Sequence, residues 1–333
     1  MSSLAESLKR YDATGAVSVL GAGAFGTGLA MALAGRGKPV HIWARDAATI
    51  AQMRENRTAP RLPGVTLPPE IRPTAQMSEA AQVPVLLLAV PTQGLRGLVT
   101  QYRDQLAGRV LVACCKGVER GTGLLPTDII RDVLPGAAVG VLTGPSFAAD
   151  IAIGRPTALT LATDHPQADA LQDALATPML RLYRTEDLTG AQLGGALNNV
   201  VAFGAGMAIG MGLGDSARSA LMTRGFAEIV RLSERRGAVA QTLFGLSGFG
   251  DLVLTCTSPQ SRNYSHGLAI GAGQEVDPSK TVEGVMTAHA VAEDTTAEDM
   301  PVTHMVSAVL KEQITLEEAV NQLLARPQRH ECR

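Results

Sequence analysis

The sequence predicts an α/β fold in which a doubly wound parallel sheet is followed by an all-α C-terminal domain. In the first half of the chain, short apolar runs alternate with turn residues and helical stretches. These runs lack period-two alternation, as expected of parallel strands that are covered on both faces. After Asp187 the β-type runs end and helical spacing begins.

The predicted strands follow from the apolar runs. They are Val17–Leu20, Val40–Trp43, Val85–Val90, Val110–Cys114, Val139–Leu142, Ala158–Ala162 and a weaker Leu180–Tyr183. The change in spacing places the boundary between the two domains near residue 190.

The second half of the chain is predicted to be helical. The stretch from Leu188 to Gly214 has no charged side chain and is long enough to span a bilayer. Its glycines and its Asn198-Asn199 pair favour a buried central helix instead, so we expect no integral membrane association. Further helices are predicted at Arg218–Arg235, around Leu243–Leu254, at Glu283–Ala292 and from Thr315, where Glu318 gives capping-box spacing.

Composition limits the possible partners and location. The 333 residues are 46% hydrophobic, enough to bury a sizeable core, and the formal net charge is only -2. No surface-wide field is available to bind nucleic acid, so a phosphate-bearing ligand must be met locally. The four cysteines show neither metal spacing nor disulfide-scaffold density, and residues 1 to 16 are charged where a secretion signal is apolar. We expect a cytoplasmic protein without a metal.

A glycine-rich turn follows the first strand. Gly21, Gly23 and Gly26 form a G-x-G-x-x-G pattern directly before a helical stretch. The first glycine permits a tight turn, the second lets a pyrophosphate approach the backbone, and the third lets the helix pack on the strand. Free N–H groups at the helix start then hold the phosphates. This context indicates a Rossmann-type dinucleotide-binding domain.

The end of the second strand bears on which dinucleotide is bound. An acidic residue there accepts a hydrogen bond from the ribose of NAD, whereas an arginine binds the 2′-phosphate of NADP. Arg45 and Asp46 offer both signs, and Arg45 comes first. We expect NADP or NAD, with NADP preferred; a solvated turn is the alternative interpretation.

Other candidate residues follow later strands, where ligands of a doubly wound sheet bind. Lys116 could hold a phosphate or hydroxyl and, if desolvated, exchange a proton. Gly144 and Ser146 offer backbone N–H groups and a hydroxyl, or form an ordinary Gly-Pro turn. Arg262, between Ser261 and Asn263, could clamp a phosphate, although such a segment alone is typical of a solvated loop.

In order along the chain, these segments resemble NAD(P)-dependent glycerol-3-phosphate dehydrogenase of the bacterial type. The similar motifs span about Val17 to Ala288 and include Gly21–Ala30, Leu62–Gly64, Ala89–Pro91, Lys116–Glu119, Gly144–Ala148, Gly195–Leu197, Asn199-Val200, Thr223–Gly225, Gly248–Leu252, Thr255-Cys256, Ser261–Asn263 and Val282–Gly284. The resemblance implies a Rossmann domain followed by a helical substrate domain, which the change in spacing places at 17–189 and 190–327. Pro327 ends the last predicted helix, so we expect a flexible tail at 328–333.

The resemblance also implies an activity. It is the reversible reduction of dihydroxyacetone phosphate, a small phosphorylated three-carbon substrate, to sn-glycerol 3-phosphate, commonly for phospholipid synthesis. The implied cofactor contacts are Gly21, Gly23, Ala24, Phe25, Gly26, Arg45, Lys116, Ala148, Arg262 and Glu283. The implied substrate contacts are Lys116, Gly144, Ser146, Asn198, Asp251, Ser261, Arg262 and Asn263, of which Lys116, Asn198 and Asp251 form the catalytic group. We expect a homodimer.

One position departs from the family pattern. The family reads Gly-Ala-Leu-Lys-Asn, with the lysine as proton donor and acceptor, whereas this chain has Asn198 there. Three explanations stay open: a natural or engineered variant with impaired chemistry, an enzyme in which Lys116 and water move the proton, or a non-catalytic binding protein. A dehydrogenase of related architecture acting on a hydroxyacid is a further alternative, which a phosphate clamp at Arg262 disfavours.

Overall fold

The computed structural model describes residues 16–276 and 282–325. The predicted leader, apart from Ala16, and the predicted tail at 328–333 lie outside the described residues. Eight strands form one sheet in the order β3-β2-β1-β4-β5-β6-β7-β8. They are β1 Val17–Leu20, β2 Val40–Trp43, β3 Ile71–Thr74, β4 Val85–Leu88, β5 Val110–Ala113, β6 Ala138–Thr143, β7 Thr157–Ala162 and β8 Leu180–Thr185.

The sheet confirms the predicted fold class and adds two features. Neighbouring strands are parallel except for β6 and β7, where Val141 pairs with Ala162 in an antiparallel register. Strand β3 was not predicted, because Pro73 has no backbone N–H and weakens a strand pattern. The structure places β3 at the edge of the sheet, where a proline is tolerated.

Helices cover both faces of the sheet, and each face has its own apolar core. The helices of this half are α1 Ala24–Ala34, α2 Ala47–Asn56, α3 Met77–Ala80, α4 Thr92–Gln101, α5 Arg103–Leu106, α6 Pro126–Val133, α7 Ala148–Ala152 and α8 Ala168–Leu175. The strand order reverses between β1 and β4, which creates the crevice where ligands bind in doubly wound sheets.

The described residues after β8 form helices. They are α9 Leu188–Gly210, α10 Gly214–Arg235, α11 Ala240–Phe244, a π-helical turn Leu246–Gly250, α12 Asp251–Thr257, α13 Arg262–Gly271, α14 Glu283–Asp294, α15 Pro301–Leu310 and α16 Leu316–Leu324. The predicted capping box is confirmed, because Thr315 and Glu318 each accept the other's backbone N–H.

Helix α9 is the centre of the helical half. Helices α10, α12, α13, α14 and α15 all contact it. At its crossing with α13 the backbones touch: a Cβ at Gly206 would lie 2.1 Å from the Tyr264 carbonyl oxygen, and one at Gly267 2.1 Å from that of Phe203. Among the described residues α9 alone is long and apolar enough to cross a membrane, yet 89% of its most apolar window is buried. The prediction of a buried central helix is confirmed.

Candidate active site

The glycine-rich turn after β1 has the shape of a phosphate cradle. Gly21 has φ +131° and donates its N–H to the carbonyl of Trp43 at 2.8 Å. A Cβ at Gly26 would lie 2.0 Å from the Gly21 carbonyl oxygen, whereas one at Gly23 would meet no atom within 4 Å. The turn is therefore closed on the protein side and open at Gly23, where helix α1 begins.

The start of α1 also suits an anion electrostatically. Ala24 and Phe25 follow Gly23, and the first turn carries no acidic side chain. The positive end of the helix dipole and its free N–H groups favour negative charge there. Ala148 at the start of α7 packs beside this helix, because a Cβ at Gly28 would lie 2.8 Å from its carbonyl oxygen. These residues fit a dinucleotide.

The structure separates the roles of Arg45 and Asp46. Asp46 caps α2: its carboxylate accepts the backbone N–H groups of Ala48 and Thr49 and the Thr49 hydroxyl. These hydrogen bonds, the Thr49 hydroxyl foremost, lower the pKa of Asp46. Arg45 is exposed at the end of β2. Asp46 is thus engaged in helix capping, and the open side chain at this strand end is a cation.

Lys116, Asn198 and Asp251 meet in one buried cluster. The Nζ of Lys116 pairs with Oδ1 of Asp251 at 2.8 Å and lies 3.4 Å from the Gly144 carbonyl oxygen. Asn198 is fully buried, and its Nδ2 donates to Oδ2 of Asp251 at 3.2 Å and to the Gly248 carbonyl at 2.8 Å. One carboxylate therefore joins a lysine on the β5 loop to an amide on α9.

Burial dominates the electrostatics of this cluster. The Asp251 side chain is 4% exposed, and burial raises its pKa, while the Lys116 ammonium and the Asn198 amide oppose the shift. The ionic partner and the hydrogen-bond donor offset part of the cost of burying this carboxylate. Lys116 keeps 20% of its side chain exposed and so has access to a ligand.

The loop after β6 carries Gly144 and Ser146. Gly144 has φ +136°, and its carbonyl oxygen is the one that Lys116 approaches. The Ser146 hydroxyl donates to the same oxygen at 3.3 Å and is only partly buried. Both predicted residues therefore lie beside Lys116 rather than in an isolated turn.

Ser261, Arg262 and Asn263 do not form the loop that the sequence predicted. Ser261 is the N-cap of α13, accepting the N–H of Tyr264, and its hydroxyl also bonds Thr255 at 2.7 Å. Oδ1 of Asn263 accepts the backbone N–H of Gly284 at 3.1 Å. Ser261 and Asn263 are buried, whereas Arg262 is exposed. The serine and the asparagine hold the helix in place, and the guanidinium is presented outward.

Glu283 connects the helical half to the sheet. Its Oε1 accepts the backbone N–H of Thr92, the first residue of α4, at 3.1 Å. Burial raises the pKa of Glu283, and the Thr92 N–H and the Arg262 guanidinium oppose the shift. The Glu283 carboxylate therefore lies near the carboxyl end of β4, within the electrostatic reach of both Arg262 and Lys116.

Comparisons with known proteins identify the family of this chain. Family models described as the N-terminus and the C-terminus of NAD-dependent glycerol-3-phosphate dehydrogenase match residues 16–169 and 187–321. The chain belongs to this family.

Similar members of the family are found among both curated sequences and solved structures. Glycerol-3-phosphate dehydrogenase [NAD(P)+] of Roseobacter denitrificans is 52% identical, covering 95% of this chain and 99% of the relative. That of Cereibacter sphaeroides is 54% identical, with 95% and 100% covered. The crystal structure of the Coxiella burnetii glycerol-3-phosphate dehydrogenase superposes with a TM-score of 0.88 at 32% identity, covering 93% of this chain and 99% of the other.

Two polar atoms beside the cluster have no partner among the described residues. They are the Oδ1 of Asn198 and the Oγ1 of Thr143, the last residue of β6. A Cβ at Gly195 would lie 2.6 Å from that hydroxyl oxygen, so Thr143 packs directly against α9. Sequence reasoning missed Thr143, although its place immediately before Gly144 was a usable signal. In this member of the family, buried unpartnered polar atoms thus lie on α9 and at the end of β6.

The π-helical turn was also missed. Leu246–Gly250 leads directly into Asp251, and its Ser247 and Gly248 carbonyls face Nδ2 of Asn198 at 3.5 and 2.8 Å. Such turns are rare in proteins as a whole, and those that occur are often at functional sites. Because glycines on both sides of Phe249 are typical of irregular structure, the local sequence indicates a loop here and not a helical turn. The turn supplies carbonyl acceptors to position 198.

Proposed function

We propose that the chain interconverts dihydroxyacetone phosphate and sn-glycerol 3-phosphate with NADPH or NADH. The observation that carries the proposal is the buried Lys116–Asp251–Asn198 cluster beside Gly144, in a member of the glycerol-3-phosphate dehydrogenase family. The relatives named above carry the same activity in their names.

The cofactor residues are assigned by fit. Gly21, Gly23 and Gly26, with Ala24 and Phe25, would hold the pyrophosphate at the start of α1. Arg45 would bind the 2′-phosphate of NADP, and the use of Asp46 as a helix cap supports a preference for NADP. Ala148, Glu283, Lys116 and Arg262 would line the rest of the cofactor site. The nicotinamide, when bound, supplies the hydride.

The proposed substrate residues form two groups, one for the phosphate end of the substrate and one for its carbonyl end. Arg262 would bind the phosphate, because it is the exposed member of the Ser261–Asn263 segment and a guanidinium fork matches two phosphate oxygens. Lys116 would bind the carbonyl oxygen that gains negative charge, with Gly144 and Ser146 beside it. Ser261 and Asn263 complete the substrate site by fixing the start of α13.

The proton step distinguishes this chain from the family pattern. The oxygen that accepts negative charge must gain a proton, and the amide of Asn198 can donate a hydrogen bond but cannot release a proton. Lys116 is an ammonium donor within the cluster, and Asp251 orients it. We propose that Lys116 and water deliver the proton and that turnover is slow for this reason.

The wider setting of the reaction follows from the same proposal. The product would supply phospholipid synthesis in the cytoplasm, and the working unit would be a homodimer. The strands end at Thr185 and α9 begins at Leu188, which supports a dinucleotide-binding domain at 17–189 and a substrate domain at 190–327.

The alternative function is ligand binding without turnover. It is favoured by one observation, the fully buried amide at the position where the family pattern has its proton-transferring lysine. Both functions predict cofactor binding, so binding alone does not separate them. The test is oxidation of NADPH and NADH in the presence of dihydroxyacetone phosphate, with calorimetry of each ligand. Turnover supports the enzyme; binding with no turnover in this chain and in Asn198→Lys supports the alternative.

A further inference from the structure

Lys116 lies on an irregular loop, residues 114–125, that joins β5 to α6. A side chain on such a loop has a fixed position only where tertiary contacts hold the backbone. Helix α4 holds the part of the loop that follows Lys116 through Thr92, Gln93 and Arg96, and α14 contacts the loop farther along.

Gln93 holds the loop backbone through its amide. Its Nε2 donates to the Val118 carbonyl at 2.8 Å, and its Oε1 accepts the N–H of Arg120 at 3.1 Å. The same amide therefore satisfies main-chain groups on both sides of Glu119.

Arg96 holds the side chain of Glu119, the loop residue that lies between the two main-chain groups bound by Gln93. Its Nε and Nη2 each donate to one oxygen of Glu119 at 2.9 Å, a two-pronged geometry that fixes orientation as well as distance. The Thr122 hydroxyl also donates to this carboxylate. The Glu119 side chain is only 9% exposed, so solvent screens the pair weakly. The Arg96 hydrogen bonds lower the pKa of Glu119.

Close packing completes the contact. A Cβ at Gly117 would lie 2.9 Å from the Thr92 hydroxyl oxygen, so the residue after Lys116 sits directly on the first turn of α4. That turn also donates the Thr92 N–H to Glu283. Helix α4 is thus in contact with both the Lys116 loop and a residue of the helical half.

We propose that Gln93, Arg96 and Glu119 form a loop clamp, a set of positioning residues that places the Lys116 ammonium between Asp251 and the Gly144 carbonyl. The effect on catalysis rests on the proposed function, in which Lys116 touches the substrate. Its mechanism is steric and electrostatic: with the clamp released, Lys116 samples other positions and its productive geometry is populated less.

The test compares Glu119→Gln and Gln93→Ala with the unchanged chain. Gln93 is exposed, so its truncation leaves the core intact, and Glu119→Gln preserves side-chain shape. Because misplacing a catalytic group by about 1 Å can cost about 100-fold, we expect each variant to lower kcat/KM for dihydroxyacetone phosphate by roughly 10- to 100-fold. NADPH affinity should change much less, because the start of α1 and Arg45 would hold the pyrophosphate and the 2′-phosphate. Asp164→Asn is the control, since it removes the charge from an exposed arginine–carboxylate pair away from the loop, in which Nη2 of Arg131 donates to both oxygens of Asp164.

A double-mutant cycle separates positioning from general destabilisation. Affinity for sn-glycerol 3-phosphate should fall in Glu119→Gln, but not fall further when Glu119→Gln is added to Lys116→Ala. An equal loss in both backgrounds, or unchanged kcat/KM in the single variants, would overturn the catalytic role of the clamp.

Hydrogen exchange tests the loop clamp without a measurement of enzymatic turnover. The Arg120 amide, which donates to Gln93, should exchange faster in Gln93→Ala, while amides of β5 keep their protection. Unchanged exchange at Arg120 overturns the clamp. Absence of turnover in every variant, including Asn198→Lys, refutes the proposed function and with it the catalytic role, whereas the exchange result tests the loop contacts independently of turnover.

Discussion

The amide of Asn198 and the carboxylate of Asp251 form a buried hydrogen bond, with Nδ2 and Oδ2 separated by 3.2 Å. The other carboxylate oxygen pairs with Lys116, so the amide supports the ion pair from its far side. The atoms around Nδ2 are acceptors: Oδ2 of Asp251 and the carbonyls of Ser247 and Gly248. An ammonium group could use the same acceptors, so the surroundings of position 198 suit a lysine.

Arg262→Ala should weaken substrate binding without unfolding the protein. Hydrogen bonds to charged groups contribute about 1.5–3 kcal/mol, which predicts a KM for dihydroxyacetone phosphate raised roughly 10- to 100-fold. Stability should change by less than about 0.5 kcal/mol, because the side chain is exposed. Initial rates and thermal unfolding measure the two effects.

Ser261→Ala is the contrasting variant at the same helix start. Loss of the N-cap should cost about 1 kcal/mol of stability, because the N–H of Tyr264 loses its acceptor. If Arg262→Ala leaves KM unchanged, or if it unfolds the protein as readily as Ser261→Ala does, the phosphate assignment is wrong.

Arg45→Ala should change the choice of cofactor. Removing the exposed cation at the end of β2 takes away a charge-assisted contact to the 2′-phosphate, so NADPH affinity should fall roughly 10- to 100-fold while NADH affinity changes by less than about twofold. Calorimetry with both cofactors measures this difference. Arg61→Ala, at another exposed arginine, serves as control. Equal losses for the two cofactors in Arg45→Ala would contradict the assignment.

The pH dependence of turnover should report Asp251. Burial raises the pKa of this carboxyl above the ordinary value of 3.8, so its ion pair with Lys116 should be lost on acidification before an ordinary aspartate would titrate. We expect an acid limb in kcat/KM at a pH above 3.8. Asp251→Asn should lower activity and abolish this limb. An unaltered limb in that variant would assign it to another group.

The titrations of Asp251 and Glu119 change the stability of the fold with opposite signs, because their pKa values are shifted in opposite directions. The folded-state pKa of Asp251 is raised, so its contribution to stability is present at low pH and is lost as pH rises through that pKa. The folded-state pKa of Glu119 is lowered, so its contribution is present above the ordinary glutamate value and is lost on acidification. Urea unfolding of Glu119→Gln across acidic pH should therefore show a flatter dependence than the unchanged chain.

Local patterns predicted much of the fold and less of how the site is assembled. Apolar runs located seven of the eight strands, since a buried parallel strand leaves a continuous apolar segment, whereas Pro73 concealed β3. Motifs named Lys116 and Asp251, but their 2.8 Å pairing depends on how α12 packs on α9. The π-helical turn before Asp251 has no local signature. The helix at Arg262 was missed because Ser-Arg-Asn after Pro259 has the composition of a loop, and only the packing of α13 on α9 fixes it as helix.

The central claim is that Asn198 limits a glycerol-3-phosphate dehydrogenase reaction, and Asn198→Lys tests it most directly. A positioned acid typically contributes about 10²- to 10⁴-fold, so kcat for dihydroxyacetone phosphate reduction should rise within that range, with little change in NADPH affinity. Asn198→Gln is the control, since it lengthens the amide but supplies no proton. An unchanged or lower kcat in Asn198→Lys, in a folded protein that still binds NADPH, would contradict the claim and show that the proton travels by another route.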